Sequence, residues 1–421
     1  MGSRDPALVL PTDESNGTIR SVTIEDLPAE LVDAILRCVD DVDMFCCRFV
    51  CHQWATLLSS RAQALHALEH PACYSAHLAI RGDLKALQWA RANGSPWDES
   101  ACARAAAGGH LDVLVWLRAN GCPWNGNTMS SAVSRGNMDV VRWVHANGCP
   151  SSETLCTYAA ECGQLEVLAW ARANNYPWDE WTCAWAAAGG FTNILEWARS
   201  HGCPWDEETC AYAAGAGHLD LLQWVRANGC PWDEWTCTFA AQYGHMEVLI
   251  WARANGCPWE EQTCKRAALG GHFDVLCWAR ANGCPWDEDT CAAAAEGGHI
   301  EVLQWARANG CPWNKGVCEA AAKGGHRNVL EWARANGCDW DAGTCAAAAI
   351  GGHLDLLKWL RAKVCPWDKT TWTCAAMCGH LDVPKWVHGK GLVPKGSEYR
   401  KIAPYIRWPH IKAWLDEMIT L

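Results

Sequence analysis

Apolar and polar positions along this chain fall into a short cycle that recurs. In one stretch, Asp287, Glu288, Asp289 and Thr290 precede a run of small apolar residues, Cys291 to Ala295. Acidic side chains and a threonine at that place predict an N-cap and a negatively charged first turn. The small-residue run predicts a short helix over 291–296 that lets neighbouring helices approach closely. Gly297 and Gly298 predict its stop, where a left-handed backbone is needed. After His299, the residues Val302, Leu303 and Ala306 fall on one face at helical spacing, so a second amphipathic helix is expected over 300–308. Arg307 sits in its last turn, Asn309-Gly310 forms another stop, and Cys311-Pro312-Trp313 leads to the next unit. The predicted unit is helix, tight turn, helix, loop.

The unit repeats with a fixed period. The tryptophan of the second helix falls at Trp89, Trp116, Trp143 and onward to Trp386, always 27 residues apart. Twelve copies of 27 make 324 of the 421 residues. A period of this size is the signature of a solenoid, in which a unit buries its apolar face only by stacking on its neighbours. The expected fold class is all-α, with one elongated array rather than several globular domains. Leucine-rich repeats have a similar period but need a Leu-x-Leu strand that this pattern lacks.

Composition narrows the function classes. A formal net charge of −12 and a pI near 5.7 argue against a broad basic face for nucleic acid. No apolar run reaches the length of a membrane span. Residues 1–22 read as a disordered leader with no secretory signal, and Pro6 stands where a myristoylation signal needs Ser or Thr. Most of the 27 cysteines form two columns, Cys122 to Cys365 in the Asn-Gly-Cys-Pro-Trp segment and Cys102 to Cys345 ahead of the alanine run. Met129 interrupts the second column, and the array has no Cys-x-x-Cys pair. Buried reduced thiols therefore fit better than disulfides or zinc, which implies a reducing compartment, the cytoplasm or the nucleus. The second tryptophan column, Trp97 to Trp367, predicts packing against adjacent loops. The histidine of Gly-His predicts a turn-stabilising hydrogen bond, with Asn137, Gln164 and Phe191 in its place in three copies. No cofactor or metal is expected.

These motifs resemble ankyrin repeats. Thr-Cys-Ala-Ala-Ala-Ala-Glu-Gly-Gly-His corresponds to that family's Thr-Pro-Leu-His-x-Ala-Ala-x-x-Gly-His, over roughly residues 72–390. The unit is shorter than the family's, about 33, and the missing residues come from the projecting β-hairpin finger. The resemblance thus implies an ankyrin-like solenoid with shortened fingers over 66–390 and a capping segment over 391–421.

Ahead of the array, residues 23–65 follow another pattern. Pro28 fits the first turn of a helix, Leu27, Leu31, Ile35 and Val39 recur at i+4, and a second helical segment holds Val50, Cys51 and Trp54. The stretch resembles an F-box, matching at Leu27, Pro28, Glu30, Leu31, Ile35, Leu36, Asp43, Val50, Cys51 and Trp54, with Met44 for leucine. The resemblance implies a small helical domain that docks a Skp-type adaptor and a cullin through Leu27, Pro28, Leu31, Ile35, Leu36, Val50, Cys51 and Trp54. The other reading is a plain helical cap on the first repeat. An F-box-like start joined to Trp- and Cys-rich 27-residue units is also similar to the ankyrin families of giant DNA viruses (pandoravirus-like), which implies a host protein as the target.

Three classes of function compete. The first is the substrate-recognition subunit of a cullin–RING ubiquitin ligase, acting as a monomer. The second is a binding or scaffold protein with no link to ubiquitin. The third, an enzyme, needs a non-repeating catalytic constellation, and none is found. Recognition should lie where the copies differ. Six residues before the Gly-His histidine, successive copies carry Arg104, Ser131, Tyr158, Trp185, Tyr212, Phe239 and Arg266, then alanines. Trp181 and Trp235 replace polar residues at the helix start, and Tyr243 replaces a glycine. If first helices line the concave face, Arg104, Tyr158, Trp181, Trp185, Tyr212, Trp235, Phe239, Tyr243 and Arg266 form a target-binding patch of the aromatic and arginine type. The alternative is that the larger residues fill gaps between stacked helices.

Overall fold

The computed structural model describes residues 72–391 and 406–420. The leader and the F-box-like segment, with Leu27, Pro28, Leu31, Ile35, Leu36, Val50, Cys51 and Trp54, lie outside the described residues. Two compact units meet the chain between Ser152 and Glu153. The first holds three described helix pairs: Ala72–Arg81 with Leu84–Ala92, Glu99–Gly108 with Leu111–Ala119, and Gly126–Arg135 with Met138–Ala146. The second holds nine pairs, from Leu155–Glu161 with Leu165–Ala173 to Lys369–Cys378 with Asp382–Gly389, and then a helix over Pro409–Thr420. No strand occurs among the described residues. The array is an all-helical repeat fold of 27-residue helix pairs, without a β-hairpin finger in its described loops.

Each pair is built from its sequence in the same way. The first helix runs Glu288–Glu296, with Asp287 as N-cap accepting a hydrogen bond from Thr290 N at 3.3 Å. It begins three residues earlier than the expected start at 291, so Glu288 and Asp289 lie inside the first turn, where the helix dipole favours negative charge. The second helix runs Ile300–Ala308, as the pattern predicts, and Arg307 occupies its last turn. Val302, Leu303 and Ala306 are buried. The first helices of successive pairs pack directly on one another within each unit, and each second helix packs on the first helix of its own pair. Alanine makes this possible. Ala294 and Ala295 are fully buried and present no side chain that would hold the helices apart.

The glycine pair after the first helix has two separate roles. Gly298 has φ +79°, the left-handed conformation that glycine adopts without penalty. Gly297 keeps ordinary helical φ, so Gly298 alone supplies the left-handed stop. The requirement at Gly297 is space, because an added Cβ would overlap the Leu269 carbonyl oxygen and the His299 ring. His299 makes a hydrogen bond, as its column predicts, and makes it across copies. Its Nε2 pairs with the Leu269 carbonyl oxygen at 3.1 Å, thirty residues back, so the bond joins neighbouring pairs and does not stabilise its own turn. The same bond recurs at His110, His218, His245, His272, His353 and His380. The ring also lies over the left-handed glycine of the preceding turn, Gly271 beneath His299.

Two further ties recur along the array. Cys311 Sγ donates to the carbonyl of the N-cap residue Asp287 at 3.2 Å, and Arg307 Nη1 donates to the Cys311 carbonyl at 2.8 Å. The thiol column thus fixes the loop onto the start of the first helix. The Arg280 guanidinium lies 4.1 Å from the ring centre of loop Trp286, whose other side meets Trp305 edge-to-face at 5.8 Å. Each such loop tryptophan therefore bridges two successive second helices, which here also meet directly through Phe273 and Trp305 at 5.8 Å. Such cation–π and ring contacts contribute about 0.5–1.5 kcal/mol each. At the end of the second unit, Trp408 Nε1 donates to the Met377 carbonyl at 3.1 Å and His410 Nε2 pairs with the Gly379 carbonyl at 3.1 Å. Ile411 and Leu415 of the last helix are buried.

A candidate protein-binding surface

The buried face of each first helix is nearly invariant in character: a threonine, a cysteine and alanines. The positions one turn apart on the opposite side are where the chain varies. On the helix Glu180–Ala188, Trp181 and Trp185 stand four residues apart and share a face. Glu208 and Tyr212 follow in the same slots on Glu207–Gly215, and Trp235 and Phe239 on Glu234–Gln242. The period of 27 places Glu208 between Trp181 and Trp235 in one column and Tyr212 between Trp185 and Phe239 in the other.

The side chains meet across the helices. Tyr212 lies 5.4 Å from Trp185 and 6.1 Å from Trp181, ring centre to ring centre, the latter nearly perpendicular. Phe239 lies edge-to-face with Tyr212 at 5.9 Å and with Trp235 at 5.6 Å. These separations are in the favourable range for aromatic pairs. Gly215 lets Tyr243 lean back over the preceding helix, since a Cβ there would be 3.2 Å from the Phe239 Cβ and 3.5 Å from the Tyr243 ring. Trp181 is 41 % exposed and Tyr243 55 %, while Trp185, Tyr212, Trp235 and Phe239 are half-buried. The rings fill the grooves between helices and still turn a face to solvent.

Three residues of the predicted patch stand apart from this group. Arg104 belongs to the first unit, where it is exposed and lines a shallow hollow with Asp98, Glu99 and Ser131. Tyr158 is half-buried, and its side chain hydrogen-bonds Cys162 at the end of its own helix. Arg266 follows Phe239 in the column, half-buried, and its Nε finds no hydrogen-bond acceptor among the described residues.

The sequence pattern singles out the rings but not the carboxylates among them. Burial pushes the Glu208 carboxyl above the usual carboxylate range, and the charges of Asp206, Asp233 and Glu207 push it further. Asp206 and Asp233 are raised in the same way, by burial first and then by Glu207 and other acids, against the hydrogen bonds they accept as N-caps. The Tyr212 phenol is raised by burial and then by Glu208. None of Asp206, Glu207, Glu208 and Asp233 forms an ion pair with Lys or Arg among the described residues. Glu208 is the one acid set between two tryptophans in its column, a relation that spans three copies and is not visible within one.

The cysteines meet in pairs twenty residues apart, a relation the two columns do not reveal. Cys318 and Cys338 bring their sulfurs to 3.3 Å. The hydrogen bond to Cys338, followed by burial, holds the Cys318 thiol well above its ordinary value. Where one partner is missing, burial is the main cause that pushes Cys149 and Cys156 up to about 11. The 22 cysteines from Cys102 to Cys378 are all free. Neutral, buried thiols of this kind are poor nucleophiles.

Comparison with known proteins adds the N-terminal segment. Residues 24–62 match the F-box domain family. No curated protein matches the chain. Among solved structures, the human ASB11 ankyrin repeat domain is similar at 15 % identity, covering 37 % of this chain and 84 % of that one, with a TM-score of 0.31. The pentatricopeptide repeat protein PPR10, in complex with an 18-nt psaJ RNA element, is similar at 16 % identity over 93 % of this chain and 67 % of that one, TM-score 0.33. PPR10 from maize gives 15 % identity, 94 % and 75 % coverage, and a TM-score of 0.31. Scores this low do not bear on what the array binds. The chain carries an F-box domain ahead of a helical-repeat array, an architecture for protein–protein interaction.

Proposed function

We propose that this protein is the substrate-recognition subunit of a cullin–RING ubiquitin ligase. The F-box segment recruits a Skp-type adaptor and cullin, and the array holds a target protein. The observation that carries this reading is the F-box match at residues 24–62, joined to an array whose described residues include a non-repeating aromatic surface. The exposed rings of Trp181 and Tyr243 support assigning target capture to the face that also holds Trp185, Tyr212, Trp235 and Phe239. The chain carries out no chemistry in this reading, because its cysteines and histidines occupy equivalent structural slots in many copies. Its free thiols suit the cytoplasm or the nucleus. The resemblance of the units to giant-virus arrays points to a host protein as the target.

The test is co-purification from cells expressing the full chain. Adaptor and cullin should accompany the native protein and be lost from the Leu27→Ala/Pro28→Ala variant, while helicity and melting temperature stay unchanged. Adaptor retained by the variant, or absent from the native protein, removes the ligase reading and leaves a binding module.

A further inference from the structure

The second unit carries a partly open aromatic enclosure with a carboxylate, Glu208, close enough to Tyr212 to raise its phenol, and no Lys or Arg among the described residues pairs with that carboxylate. Trp181, Tyr212, Phe239 and Trp235 form a run of rings in which each meets the next nearly edge-on, at 5.6–6.1 Å. Glu208 lies in the column between the two tryptophans, one helical turn before Tyr212. The surrounding charges are acids: Asp206, Glu207 and Asp233 act on Glu208, and Glu180 acts on Asp206. Elsewhere the array does neutralise this slot. The equivalent Asp289 pairs with Lys265 at 2.7 Å. A half-buried, unpaired carboxylate among like charges is costly, and ring faces with negative potential beside it add to the demand for a cation.

We infer that this enclosure receives an arginine side chain of the target protein, stacked on the rings and paired with Glu208. The inference rests on the reading of this face as the target-binding surface. Arginine fits better than lysine for two reasons. A planar guanidinium can lie on a ring face and donate two parallel hydrogen bonds to one carboxylate, which a compact ammonium cannot do. The chain also uses this contact within itself: Arg199, Arg226 and Arg253 lie 4.0–4.1 Å over Trp205, Trp232 and Trp259 in the copies that form the enclosure. Stacking of nucleic-acid bases on the same rings is disfavoured, because phosphates would meet four acids. Arg266 does not meet the demand, since it lies one period beyond Phe239 and forms no ion pair with Glu208.

The experiment uses the full chain and three fluorescein-labelled pentapeptides, Gly-x-Gly-x-Gly with arginine, lysine or citrulline at x, read by fluorescence anisotropy. Arginine should bind best, lysine more weakly, and citrulline, which is neutral and of the same shape, not at all. Glu208→Gln should weaken the arginine peptide about tenfold or more. Glu301→Gln, which removes an exposed acid from a second helix, should leave it unchanged. Equal losses from both variants would reduce the effect to net charge and overturn the inference, as would equal binding of citrulline. Proximity labelling separates this inference from the reading beneath it. If Trp181→Ser/Trp235→Ser/Tyr243→Ser loses the labelled target and Glu208→Gln does not, the surface stands and the arginine falls. If neither variant loses the target, both fall.

Discussion

Gly271→Ala is the most informative single perturbation of this fold. Gly271 has φ +73°, and an alanine forced into that conformation costs about 1–2 kcal/mol. Its new Cβ would also overlap the His299 ring. That ring must move, and its hydrogen bond to the Leu269 carbonyl, 3.1 Å long, is strained or lost at about 0.5–1.5 kcal/mol, more if the carbonyl is left unpaired. The sum is about 1.5–3.5 kcal/mol. Gly283→Ala provides the control, because φ there is +84° and nothing lies within 4 Å of the added Cβ. It should cost the backbone term alone, about 1–2 kcal/mol. Urea unfolding followed by far-UV circular dichroism gives both values, and the difference isolates the inter-pair clasp. A second cycle tests the cause: in Gly271→Ala/His299→Ala the ring is gone, so the double change should cost less than the two single changes together. Equal destabilisation by Gly271→Ala and Gly283→Ala, with additive behaviour in the double variant, would refute the clasp.

Three further outcomes follow from the same contacts. Leu303→Ala, at a fully buried site, should destabilise the array by about 2–5 kcal/mol, measured by urea midpoint, whereas Glu301→Ala on the exposed side should change it little. A thiol reagent applied to native protein should label the partly exposed Cys162, Cys277, Cys374 and Cys378 ahead of the buried columns, and rapid labelling of Cys318 or Cys338 would contradict their burial. Glu208, Asp206 and Asp233 have folded-state pKa values above their unfolded ones, so their contribution to stability is full below the unfolded carboxylate pKa and is lost as pH rises through the folded value. Glu208→Gln should accordingly raise the melting temperature near neutral pH and flatten its rise on mild acidification. A melting temperature that falls would show that the carboxylate is already neutralised.

Much of this architecture is legible in the sequence because repetition averages out local accidents. The second helix, Ile300–Ala308, follows from Val302, Leu303, Ala306 and the Asn-Gly stop. The first helix is less legible at its start, since Asp287, Glu288 and Asp289 all suit a cap or a first turn, and only the backbone shows that Asp287 is the cap. His299 and Gly271 are both conspicuous as periodic residues, yet their contact joins one copy to the next and no spacing within a copy reveals it. The same limit hides the meeting of Cys318 with Cys338. For the candidate surface, the rings were legible as departures from alanine at Trp185, Tyr212 and Phe239. Glu208 was not, because glutamate at a helix start is ordinary; its meaning comes from the tryptophans that flank it one period away on either side.

These contacts also explain how one face of the array can vary while the rest repeats. The repeated hydrogen-bonded ties end on backbone atoms: His299 on the Leu269 carbonyl of the neighbouring pair, and, within one pair and its loop, Cys311 on the Asp287 carbonyl and Arg307 on the Cys311 carbonyl. A carbonyl is present whatever the side chain, so the stack does not depend on which residue sits on the outer side of a first helix. Alanine there, as at Ala293, is sufficient for packing. Trp185, Tyr212 and Phe239 therefore exceed what stacking requires. Under the proposed function, the departure from that sufficient solution in several successive copies, with an acid that no Lys or Arg of the described residues pairs, is assigned to a partner.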